Sequence, residues 1–210
     1  MLHGGLQCPL ELRAAPNGRR QIRGKFPYNV TATLHDGGKT GRPRKEKFAP
    51  GAFTYSLDSE DDVHLLSGHS FDKPLASKNN GSLVFSDNAE ALSFVATIAP
   101  EVAETSYAKD VFALILSGLA VGLSPGFRIP PPSAVPPDQA EKVEDEAPSL
   151  GRAIIRTILA AILVELSIVT RPAYDQAQVE ARSWQPTDTG LLVPEAHDAG
   201  LRRSLNRWRA

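Results

Sequence analysis

Cysteine is almost missing from this chain of 210 residues, where Cys8 stands alone. A lone thiol excludes an intramolecular disulfide framework and any multi-cysteine zinc cage, and it suits a reducing compartment. An excess of either charge is lacking too: 23 Lys and Arg face 24 Asp and Glu, for a formal net charge of −1. No global basic field therefore recruits nucleic acid. Long apolar runs are also absent. The most apolar stretch, Ala153 to Val169, is interrupted by Arg156 and Glu165, and it is too short and too charged to span a bilayer. Met1-Leu2-His3-Gly4-Gly5 has no positive segment leading into an apolar run, so it is not read as a secretory leader. What is present is 41% hydrophobic residues, enough for a sizeable core. These features describe a soluble globular protein of one domain, or a domain with appendages.

Seventeen prolines and sixteen glycines punctuate the chain and favour short strands over long helices. Val30 to Leu34, Gly81 to Phe85 and Ala91 to Ile98 read as strands, the last with visible alternation. Polar, basic Asp36 to Lys47 reads as a loop or hairpin tip. The clearest helix is expected after Pro100, with Ala108, Val111, Phe112, Ile115, Leu116 and Leu119 on one face. Glu101 and Glu104 would sit in its first turn, and Gly118 and Gly122 would end it. Ile129 to Pro137 breaks regular structure, and the acidic run Glu141, Glu144, Asp145 and Glu146 follows. Together they predict a solvated loop over about 128–150. Leu163 to Val169 has strand composition, with Val164, Leu166 and Ile168 on one face and Glu165 and Ser167 on the other. Apolar density falls after Arg182, which divides the chain into a domain over 1–182 and a basic C-terminal tail over 183–210. There Leu201, Leu205 and Trp208, among Arg202, Arg203, Arg207 and Arg209, suit either a short amphipathic helix or a frayed end.

Gly37-Gly38-Lys39-Thr40 imitates the end of a phosphate-binding loop, but Thr33 stands where that loop needs its first glycine. His64 and His69, with Asp72 nearby, lie five apart, whereas helical metal pairs prefer three or four. Neither a metal nor another cofactor is expected. Two other segments carry more. Val63 to Ser70 is an apolar strand-like run ending in Gly68 and His69, which places an imidazole at a strand end. Gly122-Leu123-Ser124-Pro125-Gly126-Phe127 follows the helix, where the proline holds Ser124 extended and the flanking glycines permit a sharp turn. A serine hydroxyl is a poor nucleophile at neutral pH, so it needs a base and a third group to orient that base. The chain offers Ser124, His69 and Glu165, each on or beside an apolar element. A carboxylate buried on a strand needs a partner. For Glu165 that partner is either an imidazole N–H or an arginine, Arg156 or Arg171, in a structural ion pair.

Several of these residues recur as motifs in one order. Ile22-Arg23-Gly24 is followed by Phe48-Ala49-Pro50-Gly51-Ala52-Phe53, then Leu65-Leu66-Ser67-Gly68-His69, then Ser124-Pro125-Gly126-Phe127, then Leu163 through Pro172-Ala173. In this order and at these separations the chain resembles the prohead (procapsid maturation) serine proteases of tailed bacteriophages and phage-like gene transfer particles, over most of residues 20–182. The resemblance implies a mainly β protein with helices (α+β), built as a herpesvirus assemblin-like β-barrel ringed by helices. It implies a serine endopeptidase inside the assembling procapsid, in the bacterial host cytoplasm. Its substrates would be the scaffold, extensions of the major capsid protein, and the protease itself. Self-association into a homo-oligomer stays open, while no nucleic acid and no membrane is implied as partner. Ser124 matches the nucleophile and His69 the general base, and Glu165 is taken as the third member.

Two departures from the family pattern matter. Ser70 follows the histidine where the family often has an acidic residue. Pro125 has no N–H and so cannot donate to an oxyanion hole, which turns attention to Gly126 and to Gly151-Arg152. A rival reading makes the same barrel a non-catalytic structural or assembly component of the particle. Retention of both His69 and Ser124 favours the enzyme, since a structural barrel needs neither. A carboxylate hydrolase built on Asp72 and Glu165 has no motif behind it.

Overall fold

Alternating apolar and polar residues along short, glycine- and proline-bounded runs dictate strands, and strands dominate the structure. The computed structural model describes residues 2–3, 6–7, 10–14, 19–120, 122–170, 184–186 and 192–194. The chain divides into two units, Met1–Val179 and Glu180–Ala210. The first is mainly β with few helices. Its largest sheet joins β1 (Leu2–His3) and β2 (Leu6–Gln7) to β11 (Gly122–Arg128), then β14 (Ile162–Val169), β7 (His64–Ser67) and β8 (Ser70–Ser77). A second sheet orders β3 (Leu10–Ala14), β4 (Arg20–Pro27), β10 (Ala91–Ile98) and β9 (Leu83–Asp87). A third orders β12 (Glu141–Asp145), β13 (Ile154–Ile158), β6 (Arg44–Phe48) and β5 (Ala32–His35). In these three sheets β13 pairs with β6 and β14 with β7 in parallel, while the other pairings are antiparallel. None of the three closes on itself among the described residues.

One ring from each sheet meets at the centre. Phe48 of β6 stands 5.3 Å from Phe26 of β4 and 5.0 Å from Phe127 of β11, both edge-on, and 5.1 Å from the stacked ring of Phe53. All four side chains are fully buried. Edge-to-face pairs of this kind add about 0.5–1.5 kcal/mol each beyond the area they bury. Phe53 begins α1 (Thr54–Leu57), so the Phe48–Phe53 motif supplies two of the four rings.

The helix expected after Pro100 is two helices, α2 (Pro100–Ala103) and α3 (Ser106–Leu116). Thr105 interrupts them because its extended backbone and its side chain cap α3, the hydroxyl accepting from the Ala108 N–H. Ala108, Val111, Phe112 and Ile115 are buried as the periodicity predicts. Leu116 and Leu119 are exposed, since Gly118 at φ 70° ends the helix there. Gly122 is no terminator but the first residue of β11.

Two segments expected as loops contain strands. The basic stretch ends in β6, and the acidic run forms β12 after the short α4 (Pro137–Ala140). β12 is an edge strand with four of its five residues exposed, so its charges stay solvated while its backbone pairs with β13. Buried Glu46 of β6 binds Arg156 at 3.2 Å, and Arg156 also binds Glu141 of β12. In the second unit β15 (Trp184–Pro186) pairs antiparallel with β16 (Leu192–Pro194). The terminal basic helix read from 201–210 lies outside the described residues.

Candidate active site

The site starts at a two-residue turn. β7 and β8 are joined by Gly68 and His69, with φ of 61° and 62°. Positive φ at both central residues matches the twist of a tight hairpin. Glycine adopts it without penalty, whereas for a histidine it costs about 1–2 kcal/mol. Two bonds to β14 hold the tip there. The Gly68 N–H donates to the Ile168 carbonyl at 3.1 Å, and the His69 N–H donates to Ser167 Oγ at 2.9 Å. With the backbone fixed, His69 Nδ1 lies 2.7 Å from Glu165 Oε1. Beyond the turn β8 leaves the ladder: Ser70 pairs with Ser67 and Pro74 with Leu66, so Phe71, Asp72 and Lys73 bulge outward and are exposed.

A fully buried carboxylate on β14 needs a reason to point away from the apolar core. Register supplies it. Glu165 lies opposite Gly126, but the next pair along is Leu163 opposite Phe127, which leaves Val164 as an extra residue. A bulge of this kind reverses which side the following residue faces. Leu163 therefore joins Phe127 in the core, while Glu165 and Ser167 face the other side and Leu166 and Ile168 the core. The facing of Glu165, Ser167, Leu166 and Ile168 follows the sequence expectation, and Val164 departs from it as the bulged residue. The Leu163 N–H at the bulge is satisfied by the buried Ser56 hydroxyl, 3.0 Å away.

Ser124 lies directly opposite Ser167 in the antiparallel pairing of β11 with β14, so it shares the face of Ser167 and Glu165. It is buried inside a regular strand and is not on the sharp turn that its glycines suggested. Among the described residues, β1 pairs with β11 at Gly126 and Phe127, and β2 pairs at Gly122 and Leu123. Ser124 and Pro125 fall between these two ladders, where a residue without an N–H is tolerated in an inner strand.

Of the residues singled out from the sequence, His69 and Glu165 are in direct hydrogen bond and Ser124 is on the adjoining strand. Asp72 is exposed on the β8 bulge, which removes the pairing of Asp72 with Glu165. Arg156 pairs with Glu46 and Glu141, so the imidazole and not this arginine partners Glu165, and Arg171 lies outside the described residues. His64 stands 3.4 Å from Asp62. Burial disfavours the Asp62 charge, yet the Ser77 hydroxyl, the Asn79 amide and His64 outweigh it and hold that carboxyl below its ordinary range. Gly151-Arg152 is tied to the 37–42 loop, where the Arg152 carbonyl accepts from Arg42 Nε at 2.8 Å. Sequence reasoning missed the contacts that two residues make with Glu165. Ser167 donates to Glu165 Oε2 at 2.6 Å, and Gly126 lies so close that a Cβ would overlap the Glu165 carboxylate. Glu-x-Ser spacing on a strand was the available signal for the first.

An ionised carboxylate accepts only, so the Glu165 contact puts the imidazole proton on Nδ1 and the basic lone pair of the neutral ring on Nε2. Hydroxyl and carboxylate thus belong to the adjacent strands β11 and β14, and the imidazole to the turn that ends β7 on the other side of β14. That is the equipment of acyl transfer through an activated serine. No curated protein and no solved structure matches the chain at a significant level. The family model for the caudovirus prohead serine protease, in contrast, matches residues 25–189. The match covers most of the sequence and takes in every strand from β5 to β14, and with it the chain belongs to the caudovirus prohead serine protease family.

Proposed function

We propose that the protein is a serine endopeptidase of capsid maturation in which Ser124 is the nucleophile, His69 the general base and Glu165 the residue that orients it. The observation that carries this reading is the 2.7 Å contact between His69 Nδ1 and buried Glu165, on the sheet face that Ser124 shares. Ser124 Oγ attacks the scissile carbonyl while His69 Nε2 takes its proton and passes it to the leaving amine. Water then releases the acyl group by the same route in reverse. Glu165 stabilises the imidazolium that forms between these transfers. Its second oxygen accepts from Ser167.

Membership of the family supports a capsid-maturation protease in general. The finer reading is that it acts inside the procapsid in the host cytoplasm on the scaffold, on extensions of the major capsid protein, and on itself. Three sheets around one aromatic cluster, with α3 packed beside them, support the likeness to the assemblin barrel. A purely structural barrel has no use for a histidine held in left-handed backbone against a buried carboxylate.

Co-expression with the capsid protein, followed by mass spectrometry of the products, tests the assignment. Ser124→Ala should remove cleavage by about a millionfold in turnover and leave the fold intact. Glu165→Gln should cost about ten-thousandfold and keep measurable residual activity. Undiminished cleavage by a folded Ser124→Ala protein would sink the triad.

A further inference from the structure

Ser167 is fully buried, lies directly opposite Ser124, and stands between the two other members of the proposed triad. A hydroxyl has one proton to give and lone pairs to receive. The Ser167 proton goes to Glu165 Oε2 at 2.6 Å, because a carboxylate can only accept. A lone pair of the same oxygen takes the His69 backbone N–H at 2.9 Å. The imidazole of that histidine then closes the ring on Glu165 Oε1 at 2.7 Å. One oxygen therefore fixes the backbone of the base in its left-handed turn and fixes the rotation of the carboxylate that orients the ring.

We infer that Ser167 is a positioning residue for the peptidase reaction, acting through His69 and Glu165 and never on the substrate. The inference rests on the reading of Ser124, His69 and Glu165 as the triad. Without the hydroxyl, the His69 amide loses its partner at the turn. The carboxylate loses the bond that sets its plane, so the ring drifts from the line of proton transfer. Misplacement on the scale of 1 Å costs about a hundredfold in rate. Ser167 is fully buried, so the loss belongs in kcat and not in KM.

The test uses the full chain and a peptide spanning a junction that the wild-type protein is shown to cut. Ser167→Ala should lower kcat by about 10- to 100-fold with KM held within about twofold. Two further readouts report the positioning itself. The downfield proton resonance of His69 Nδ1–H should shift or broaden, and the His69 amide should exchange about tenfold faster or more. If Ser167→Ala does not fold, Ser167→Cys keeps the shape, slightly enlarged, with a weaker donor and should show the same changes at smaller size. Wild-type kcat overturns the inference. So does a fall in kcat with resonance and exchange unmoved, or an effect confined to KM. The reading beneath it fails separately, through activity retained in Ser124→Ala, and the resonance and exchange measurements still report whether Ser167 holds the turn.

Discussion

Gly126 lacks a side chain because Glu165 already fills the space. A Cβ there would overlap Oε1 and stand 2.8 Å from Cδ and 2.9 Å from Cγ of that residue. The obstacle is a carboxylate pinned by two hydrogen bonds, so it cannot yield as a flexible side-chain end would. Gly126→Ala should therefore swing Glu165 away from His69, lower kcat by about a hundredfold or more, and cost about 1–3 kcal/mol in denaturant titration. Gly68→Ala is the contrasting substitution, since nothing lies within 4 Å of a Cβ there and the cost is its left-handed backbone, about 1–2 kcal/mol. Equal activity of Gly126→Ala and wild type would show that the carboxylate has room to move. The sequence made Ser124-Pro125-Gly126 look like a turn because proline and glycine are turn formers. The structure uses the glycine for close approach and the proline where the ladder is interrupted, and neither use leaves a local signal.

At the scale of elements, the bulge in β14 goes with the way the Glu165 carboxylate faces, and α1 braces the bulge. Within the Phe48–Phe53 motif, the Ala49 N–H donates to Ile158 and the Ala52 carbonyl accepts from Ala161. The motif thereby braces the connection that leads into β14. Ser56 completes the brace, its hydroxyl accepting from Leu163 and donating to Phe53. Ser56→Ala leaves a buried N–H without its acceptor, which should cost about 1–3 kcal/mol of stability. Chemical denaturation measures that loss, and a parallel fall in kcat would register the loosened bulge; unchanged stability would mean that the Leu163 N–H finds another partner.

Strands β10 and β14 were legible because apolar residues alternate along much of them, and β7 because it is a short apolar run ending in Gly68. β6 was not, since Arg44-Lys45-Glu46-Lys47 is charged throughout. The alternation there is hidden: Glu46 is buried against Arg156, an ion pair contributed by a strand 110 residues away. β12 escaped notice for the opposite reason, having scarcely an inward face to mark it. His69 at a strand end was readable from Gly68-His69, while the reach of its ring to Glu165 required the pairing of β7 with β14.

For the whole molecule, the chain divides into two units after Val179, where the fall in apolar density predicts a boundary after Arg182. The family match runs to residue 189, past the boundary that apolar density suggested at Arg182. Truncation after Arg182 should still preserve folding and peptide cleavage, with Tm lowered by less than about 4 °C, equivalent to under about 1 kcal/mol. Incorporation into procapsids should fall, because the arginines of the tail, with Leu201, Leu205 and Trp208, suit docking on an acidic or apolar partner surface. A truncated chain that cannot fold would assign the tail to the core, and normal packaging would show that it is no targeting element.

The two parallel pairings, β6 with β13 and β7 with β14, have a temporal consequence. Each joins an early strand to a late one, and His69 and Glu165 are 96 residues apart. Contacts at such separation form late, after the entropy of closing the intervening loop has been met. A chain emerging N-terminus first presents the imidazole, then the hydroxyl, and last the carboxylate with the bulge that aims it. Until the final strand slides between β7 and β11, the three groups belong to separate pieces of polypeptide. The bonded pair of His69 and Glu165, and with it the proposed triad, is therefore complete only when the last strand of this sheet is in place.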